Sequence, residues 1–425
     1  MYTATCSGHA DLDCEQPFLA LFSKCRGEHV KTSTCFLAIL ISSIFTFPLQ
    51  AQDAPPVTAP ARGFQITTNH SGATTTTTLK LPLTVKWSVS LPGTASYPII
   101  TQGKVYVVSA GNGTIPSTLY ALNETTGATL WSQPAPAGFG NWIGAAYDRG
   151  ALFLVTTANP SFGSGAMFAF SAVDGHQLWS ANLPGQYSFS SAPTALNGIV
   201  YTGGAGSGGT VYAVSESNGL VLWTAGVENG DSSAPAVTSN GVYVSYACPQ
   251  SYRFDPKTGV QTWHFSGPCE GGGGESAAVF DGFVFVRDIF NYPTDGLILN
   301  ATTGANVSGF NSTYSPAFLG KNAFYTEPNT TTAVNLTTGK TVWTAVASAG
   351  ETFSCSPIVV NGVVFAATSM GNVIGYTAGT GKKVSTTNVG TAISCGEYFA
   401  IPLAGMSAGD GYVVVPAGSN LVALQ

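Results

Sequence analysis

The chain has 425 residues, of which only 8% are charged, against about 25% in an average soluble protein. A net charge of −6 with 15 Lys plus Arg excludes a nucleic-acid footprint, which needs clustered cations to neutralise phosphate. Apolar residues at 44% exclude a disordered chain past the first 80 positions, and 51 glycines point to a turn-rich β protein.

Residues 1–29 are polar, hold Cys6, Cys14 and Cys25, and show no apolar periodicity. We read them as an extension ahead of a start near Val30. Residues 35–49 (CFLAILISSIFTFPL) are uncharged and follow Lys24, Arg26 and Lys31. That run is shorter than the roughly 20 residues a membrane span needs, and small Ala51 closes it. The segment 30–51 therefore reads as a signal peptide, so the mature chain is expected to be exported, to the periplasm, the cell surface or the medium, without a membrane span. Residues 52–80, with five consecutive Thr at 74–78, read as a flexible Pro/Thr-rich tether.

From residue 81 to 425 one unit recurs about every 43 residues, the mark of a repeat architecture. A β segment after a turn residue stands at 103–110 (GKVYVVSA), 150–157, 197–204, 240–247, 281–288, 320–327, 361–368 and 410–417. A second follows each, as LYALN at 119–123 and LVALQ at 421–425. Next comes a Gly turn with Trp four residues on: Gly127/Trp131, Gly175/Trp179, Gly219/Trp223, Gly259/Trp263 and Gly339/Trp343. Ser308 and Ser385 replace the Trp in two units. Alternation broken by Asn-Gly or Asp-Gly predicts antiparallel hairpins, and an apolar strand before each makes four strands per unit, here A to D. Such small sheets bury their faces only against one another, which predicts an eight-bladed, all-β propeller. The chain ends on a third strand, and LTVKWSVSLPG at 83–93, carrying Trp87, supplies the missing fourth and closes the ring.

The phrases ALNETTGATLW (121–131) and AVNLTTGKTVW (333–343) resemble the repeat of pyrroloquinoline-quinone-type β-propellers. The resemblance covers 83–425. It implies that Trp87, Trp131, Trp179, Trp223, Trp263 and Trp343 dock blades together, a packing role that also follows from the area an aromatic ring buries. The family includes quinoprotein dehydrogenases, sensor domains and non-catalytic scaffolds, among them the propeller lipoprotein of the outer-membrane barrel-assembly machine.

The chemistry of the chain favours a scaffold. Gly204, Gly206 and Gly209 match a phosphate loop but lead into a strand, leaving no helix N-terminus to hold phosphate. The GMSAG run at 405–409 matches a nucleophile elbow, yet it lies in an A–B connection without a strand-to-helix turn. Of the histidines, only His176 and His264 fall in the repeats, beside strand D. No zinc or calcium motif occurs, so no metal is expected, and the Cys-Cys pair and calcium ligands of quinone dehydrogenases are missing. Two disulfides are expected in an exported protein: Cys248–Cys269 within one unit, and Cys355–Cys395 between matching SCSP and SCGE runs at the start of strand A in successive blades.

Long D–A and B–C connections gather on one face and hold candidate contact residues. These are Trp142, Tyr187, Phe290, Tyr292, Phe353 and Tyr398, with Asp231, Glu275, Glu351 and Glu397 as an acidic funnel mouth. A Gly run at 271–274 adds freedom there. Aromatics on loops above a rigid scaffold are a common recipe for recognition. The expectation is a monomeric binding scaffold for a protein or polymer, without cofactor. The alternative is a divergent alcohol or sugar dehydrogenase using pyrroloquinoline quinone and calcium.

Overall fold

Strands too short to bury their own faces must stack, and the turns between them decide how. The computed structural model describes residues 60–76, 79–156, 165–183, 191–203, 209–229, 233–267, 274–287, 296–397 and 400–425. Their strands form eight small antiparallel sheets in a ring, an eight-bladed β-propeller. Blade 1 shows the pattern: A, Ile99–Thr101; B, Lys104–Ser109; C, Thr118–Asn123; D, Thr129–Pro134. In blade 8 the strands Ser407–Gly409, Tyr412–Ala417 and Asn420–Leu424 are completed by Val85–Ser90, with Trp87 opposite Ala423. One sheet thus joins the two ends of the repeat region and locks the ring. The cis peptides Leu81-Pro82 and Ile401-Pro402 both lie near this closing blade.

The turn chemistry explains the blades. Asn361 and Gly362 both adopt positive φ, at 51° and 77°, as a type I′ hairpin turn requires. The C–D turn is made by an Asn or Asp side chain: Asn123 Oδ1 accepts the N–H groups of Thr125 and Thr126, each at 3.0 Å. Strand D then carries a bulge just before its Trp, as between Gln177 and Trp179. That bulge disrupts the exposed outer edge, where a regular strand would invite pairing with another chain.

The Trp ladder joins blade to blade. Trp223 of blade 3 donates Nε1–H to the Pro256 carbonyl of blade 4 at 2.9 Å. Its ring lies over Gly259, where an added Cβ would meet the indole at 2.6 Å. Trp87, Trp131, Trp179, Trp263 and Trp343 make the same bond to Glu124, Val173, Glu216, Ala301 and Ala378. Where Ser308 replaces Trp, the facing Gly339 has nothing within 4 Å of an added Cβ. Ser385 faces the joint between the chain ends and accepts the Leu83 N–H instead. Both Gly259 and Gly339 have positive φ, so either Ala variant carries backbone strain. Gly259→Ala also drives a methyl into Trp223 and is expected to be about 1–3 kcal/mol worse than Gly339→Ala. Urea denaturation of the two variants checks this, and equal midpoints would refute the docking role.

Residues 60–76 correct the expectation of a flexible tether across 52–80. Ala61, Phe64, Ile66 and His70 are buried, and Ala73–Thr74 pairs in parallel with strand A of blade 7 (Ile358–Val360). Strand A has an unpaired inner edge, and this segment satisfies it. The Arg62 carbonyl accepts from Tyr147, Thr68 from Val237, Asn69 from Val279, Ser71 from Phe318 and Gly72 from Val359. Ala61 donates to Ile100. The fourteen residues from Ala61 to Thr74, which bond in turn to the inner strands of blades 1, 2, 4, 5, 6 and 7, must lie inside the ring. The segment is an axial plug. The expected leader and extension, residues 1–51, lie outside the described residues.

Candidate functional site

The starts of the inner strands converge on the axis, and there the chain buries its charges. Arg287 ends strand B of blade 5 (Phe283–Arg287), and its side chain is fully buried. Nη1 donates to the Thr313 carbonyl at 2.8 Å and pairs with Glu275. Nη2 donates to Ser315 Oγ at 2.9 Å and to Glu397. Glu397 also accepts the Ser315 N–H at 3.0 Å, Ser315 Oγ at 2.8 Å and Ser356 Oγ. Charges taken out of water are tolerated only when paired and hydrogen-bonded, and this network meets that demand with groups from the approaches to blades 5, 6, 7 and 8.

The plug and a disulfide hold the network. Gln65 Nε2 donates to the Ser315 carbonyl at 3.2 Å. His70 Nδ1 lies 2.7 Å from the Ala277 carbonyl; a carbonyl only accepts, so Nδ1 carries the proton. Burial lowers the His70 pKa to about 4, against weaker opposition from that bond and from Glu397. The imidazole is therefore neutral. Cys355 and Cys395 form a disulfide with Cα atoms 4.7 Å apart. It ties the connection bearing Glu397 to blade 7, helped by Ser354 Oγ donating to the Ile393 carbonyl at 2.7 Å. Cys355 just precedes strand A of its blade, whereas Cys395 lies well before strand A of blade 8 (Ser407–Gly409), so the two runs are not equivalent places as expected. Cys248 is also disulfide-bonded, and its expected partner Cys269 lies outside the described residues.

The predicted contact residues divide sharply. Glu275 and Glu397 meet on Arg287. Glu351 does not join them; it accepts from Thr368 Oγ1 at 2.8 Å and from Asn372 within blade 7, and these bonds, Asn372 first, lower its pKa. Trp142 is no loop residue. It opens strand A of blade 2 (Trp142–Asp148), is fully buried, and sits edge-on to Phe170 at 5.6 Å. Phe353 is likewise core, packed with Trp343 and Tyr376. Tyr187, Phe290, Tyr292, Tyr398, Asp231 and most of the Gly run fall outside the described residues. Ser407 of the GMSAG run is in strand A itself and buried. Sequence reading missed Arg287, Ser315, Ser356 and His70. A signal existed for Arg287, a cation ending the otherwise apolar run FVFVR.

A quinone–calcium centre needs carboxylates free to ligate a cation and room for a planar ring. Among the described residues the axial carboxylates Glu275 and Glu397 face Arg287 and the plug lies on the axis, so the described residues do not fit that group. Among the described residues, no group of three or more His, Cys, Asp or Glu could hold a metal ion.

Ring, Trp docking and Gly turns define an eight-bladed propeller of pyrroloquinoline-quinone-like repeats. The family model described as outer membrane protein assembly factor BamB matches residues 83–183, 116–266, 163–305 and 294–425, and the chain belongs to that family. Tetrathionate hydrolase of Acidithiobacillus ferrooxidans is 28% identical over 161 residues, 34% of this chain. That alignment spans 30% of the relative's own length. Among solved structures, quinohemoprotein alcohol dehydrogenase from Comamonas testosteroni superposes with a TM-score of 0.65 at 14% identity, covering 86% of this chain and 80% of that one. BamB from Moraxella catarrhalis superposes at 0.60 and 16% identity, covering 81% and 99%. These likenesses are of fold.

Proposed function

We propose that the chain is an exported, non-catalytic propeller that binds a protein or polymer partner on the face formed by its D–A and B–C connections. The occupied axis carries this reading. Among the described residues, the axis is occupied by residues 60–76 and by the buried network of Arg287 with Glu275 and Glu397. Recognition is then left to the surface, and exposed apolar side chains stand there: Ile115 and Met370 in B–C connections, Ile401 in a D–A connection, and Val346 at the end of strand D of blade 6 (Lys340–Val346). Membership of the BamB family supports a protein partner, and the leader-like 30–51 supports export. Among the described residues, no helix is long and apolar enough to cross a membrane.

The test has two arms. Purified chain supplied with pyrroloquinoline quinone, calcium and an alcohol and sugar panel is expected to leave an artificial electron acceptor unreduced, and to leave tetrathionate intact. Photo-crosslinkers at Met370 and Val346 are expected to capture a discrete partner in the producing cell, while one at Leu178 on the outer rim is not. Substrate-linked dye reduction would replace the scaffold with a dehydrogenase, and tetrathionate consumption would replace it with a hydrolase.

A further inference from the structure

Each blade turns its chain back tightly between strands A and B and between C and D, on the face opposite the long connections. All of these turns lie among the described residues, and the charge on them is divided. Over blades 6, 7, 8 and 1 the face carries Lys321 and Lys340 of blade 6, Lys382 of blade 7, Lys86 of the closing strand, Lys104 of blade 1, and Lys80. Lys104 is half-buried and the other five are exposed. The acids of that sector are half-buried Glu124, exposed Asp410 and the carboxyl end at Gln425. Over blades 2 to 5 the balance reverses: Asp148, Asp174, Glu216, Asp255 and Asp281 outnumber Arg149, Arg253 and Lys257. Lys383 is set apart, because its charge acts on Glu351.

The path of the chain sets apolar side chains among these lysines. The plug leaves the ring on this face, where the Asn361 side chain in the A–B turn of blade 7 accepts the Thr76 N–H at 2.9 Å and donates to its carbonyl at 2.6 Å. The chain then crosses to the outer rim, where the Leu83 N–H meets Ser385 Oγ at 3.2 Å and the closing strand Val85–Ser90 begins. Lys80 and Leu81 lie on that crossing. Leu81 and Val85 are 39% and 45% exposed, each next to a lysine in sequence. Such a surface suits lipid headgroups: apolar tips enter the interface while flexible lysine stems carry charge to the phosphates. Among the described residues no arginine stands in the turns or outer strands of this sector, so the planar fork that grips a phosphate through two bonds is missing. We propose that this basic sector docks the propeller on an anionic lipid surface. The D–A and B–C face, assigned above to the partner, then points away from the lipid.

The chain as a whole carries a net charge of −6, so an anionic membrane repels it unless the basic sector turns toward the lipid. Cosedimentation of the purified chain with vesicles is the test. Binding is expected to mixed phosphatidylglycerol–phosphatidylcholine vesicles and not to phosphatidylcholine alone, and it is expected to fade as added salt shortens the screening length. Each Lys→Gln change in the sector is expected to weaken binding about fivefold. Lys80→Gln/Lys86→Gln/Lys382→Gln is expected to weaken it about a hundredfold. Arg149→Gln/Lys257→Gln, on the other half of the same face, is expected to bind as the wild type does. Leu81→Ser/Val85→Thr is expected to bind more weakly while keeping the wild-type salt dependence. All these side chains but that of Lys104 are exposed, and thermal melts confirm that each variant folds; should the triple variant not fold, Lys382→Gln alone decides. Equal binding to neutral vesicles, a folded triple variant that binds like the wild type, or an equal loss in Arg149→Gln/Lys257→Gln overturns the proposal. Retention on heparin without vesicle binding also overturns it, in favour of a soluble polyanion.

Discussion

Replacing Arg287 by Met is expected to cost about 3–5 kcal/mol, the penalty for leaving buried charge without its partner. Glu275 and Glu397 would face each other across the axis with no cation between them, and the hydroxyl groups of Ser315 and Ser356 cannot neutralise two carboxylates. Against a total stability of about 5–15 kcal/mol, that loss reaches the margin of folding. Arg287→Lys is expected to recover only part of it, because an ammonium lacks the planar fork that serves two carboxylates and a carbonyl together. The variant Arg287→Met/Glu275→Gln/Glu397→Gln is expected to be more stable than Arg287→Met alone, since neutral amides remove the uncompensated charge. Guanidinium denaturation of the three variants measures these differences. An Arg287→Met protein with the wild-type midpoint would show that the axial network is not buried as described.

Deleting residues 53–76 while keeping the closing strand 85–90 is expected to prevent stable folding. The deletion strips carbonyl acceptors from the inner strands of blades 2, 4, 5, 6 and 7 and opens an apolar void where Phe64 and Ile66 pack. Buried backbone N–H groups left without acceptors cost about 1–3 kcal/mol each, so several together exceed the stability of the ring. Phe64→Ala is the gentler probe. Phe64 sits edge-on to Tyr97 and His70, with ring centres 5.7 and 5.5 Å away, and its truncation is expected to cost about 3–5 kcal/mol. Circular dichroism melts decide the matter. A deletion protein that melts with the full chain would return the segment to the role of a tether.

That segment shows where sequence reading stops. Pro, Ala and Thr between a leader and a repeat have the composition of a linker, and composition was the only signal available. Burial came from outside: eight converging inner edges present unpaired N–H groups, and any chain threaded among them gains acceptors' bonds regardless of its own propensity. Trp142 failed for the opposite reason. It lies where other blades have loop, but strand A of blade 2 begins earlier, at Trp142 rather than three residues before its turn, and so takes the ring into the core. Glu275 and Glu397 were legible as axial acids from their place before strand A. Their partner was not, because Arg287 reaches them from strand B of blade 5, across a distance in sequence that no local pattern records.

By itself the sequence determined the ring. Eight Gly turns, the Trp ladder with its two Ser gaps and the orphan strand at 83–93 are local or repeating signals, and repeats dock through the same short-range geometry at every seam. Tertiary structure decided what fills the ring and what charges it. The plug and the Arg287 network each depend on groups from different blades meeting at the axis. Their pairing follows from the low dielectric at those meeting points, a property of the assembled ring that no stretch of chain carries alone.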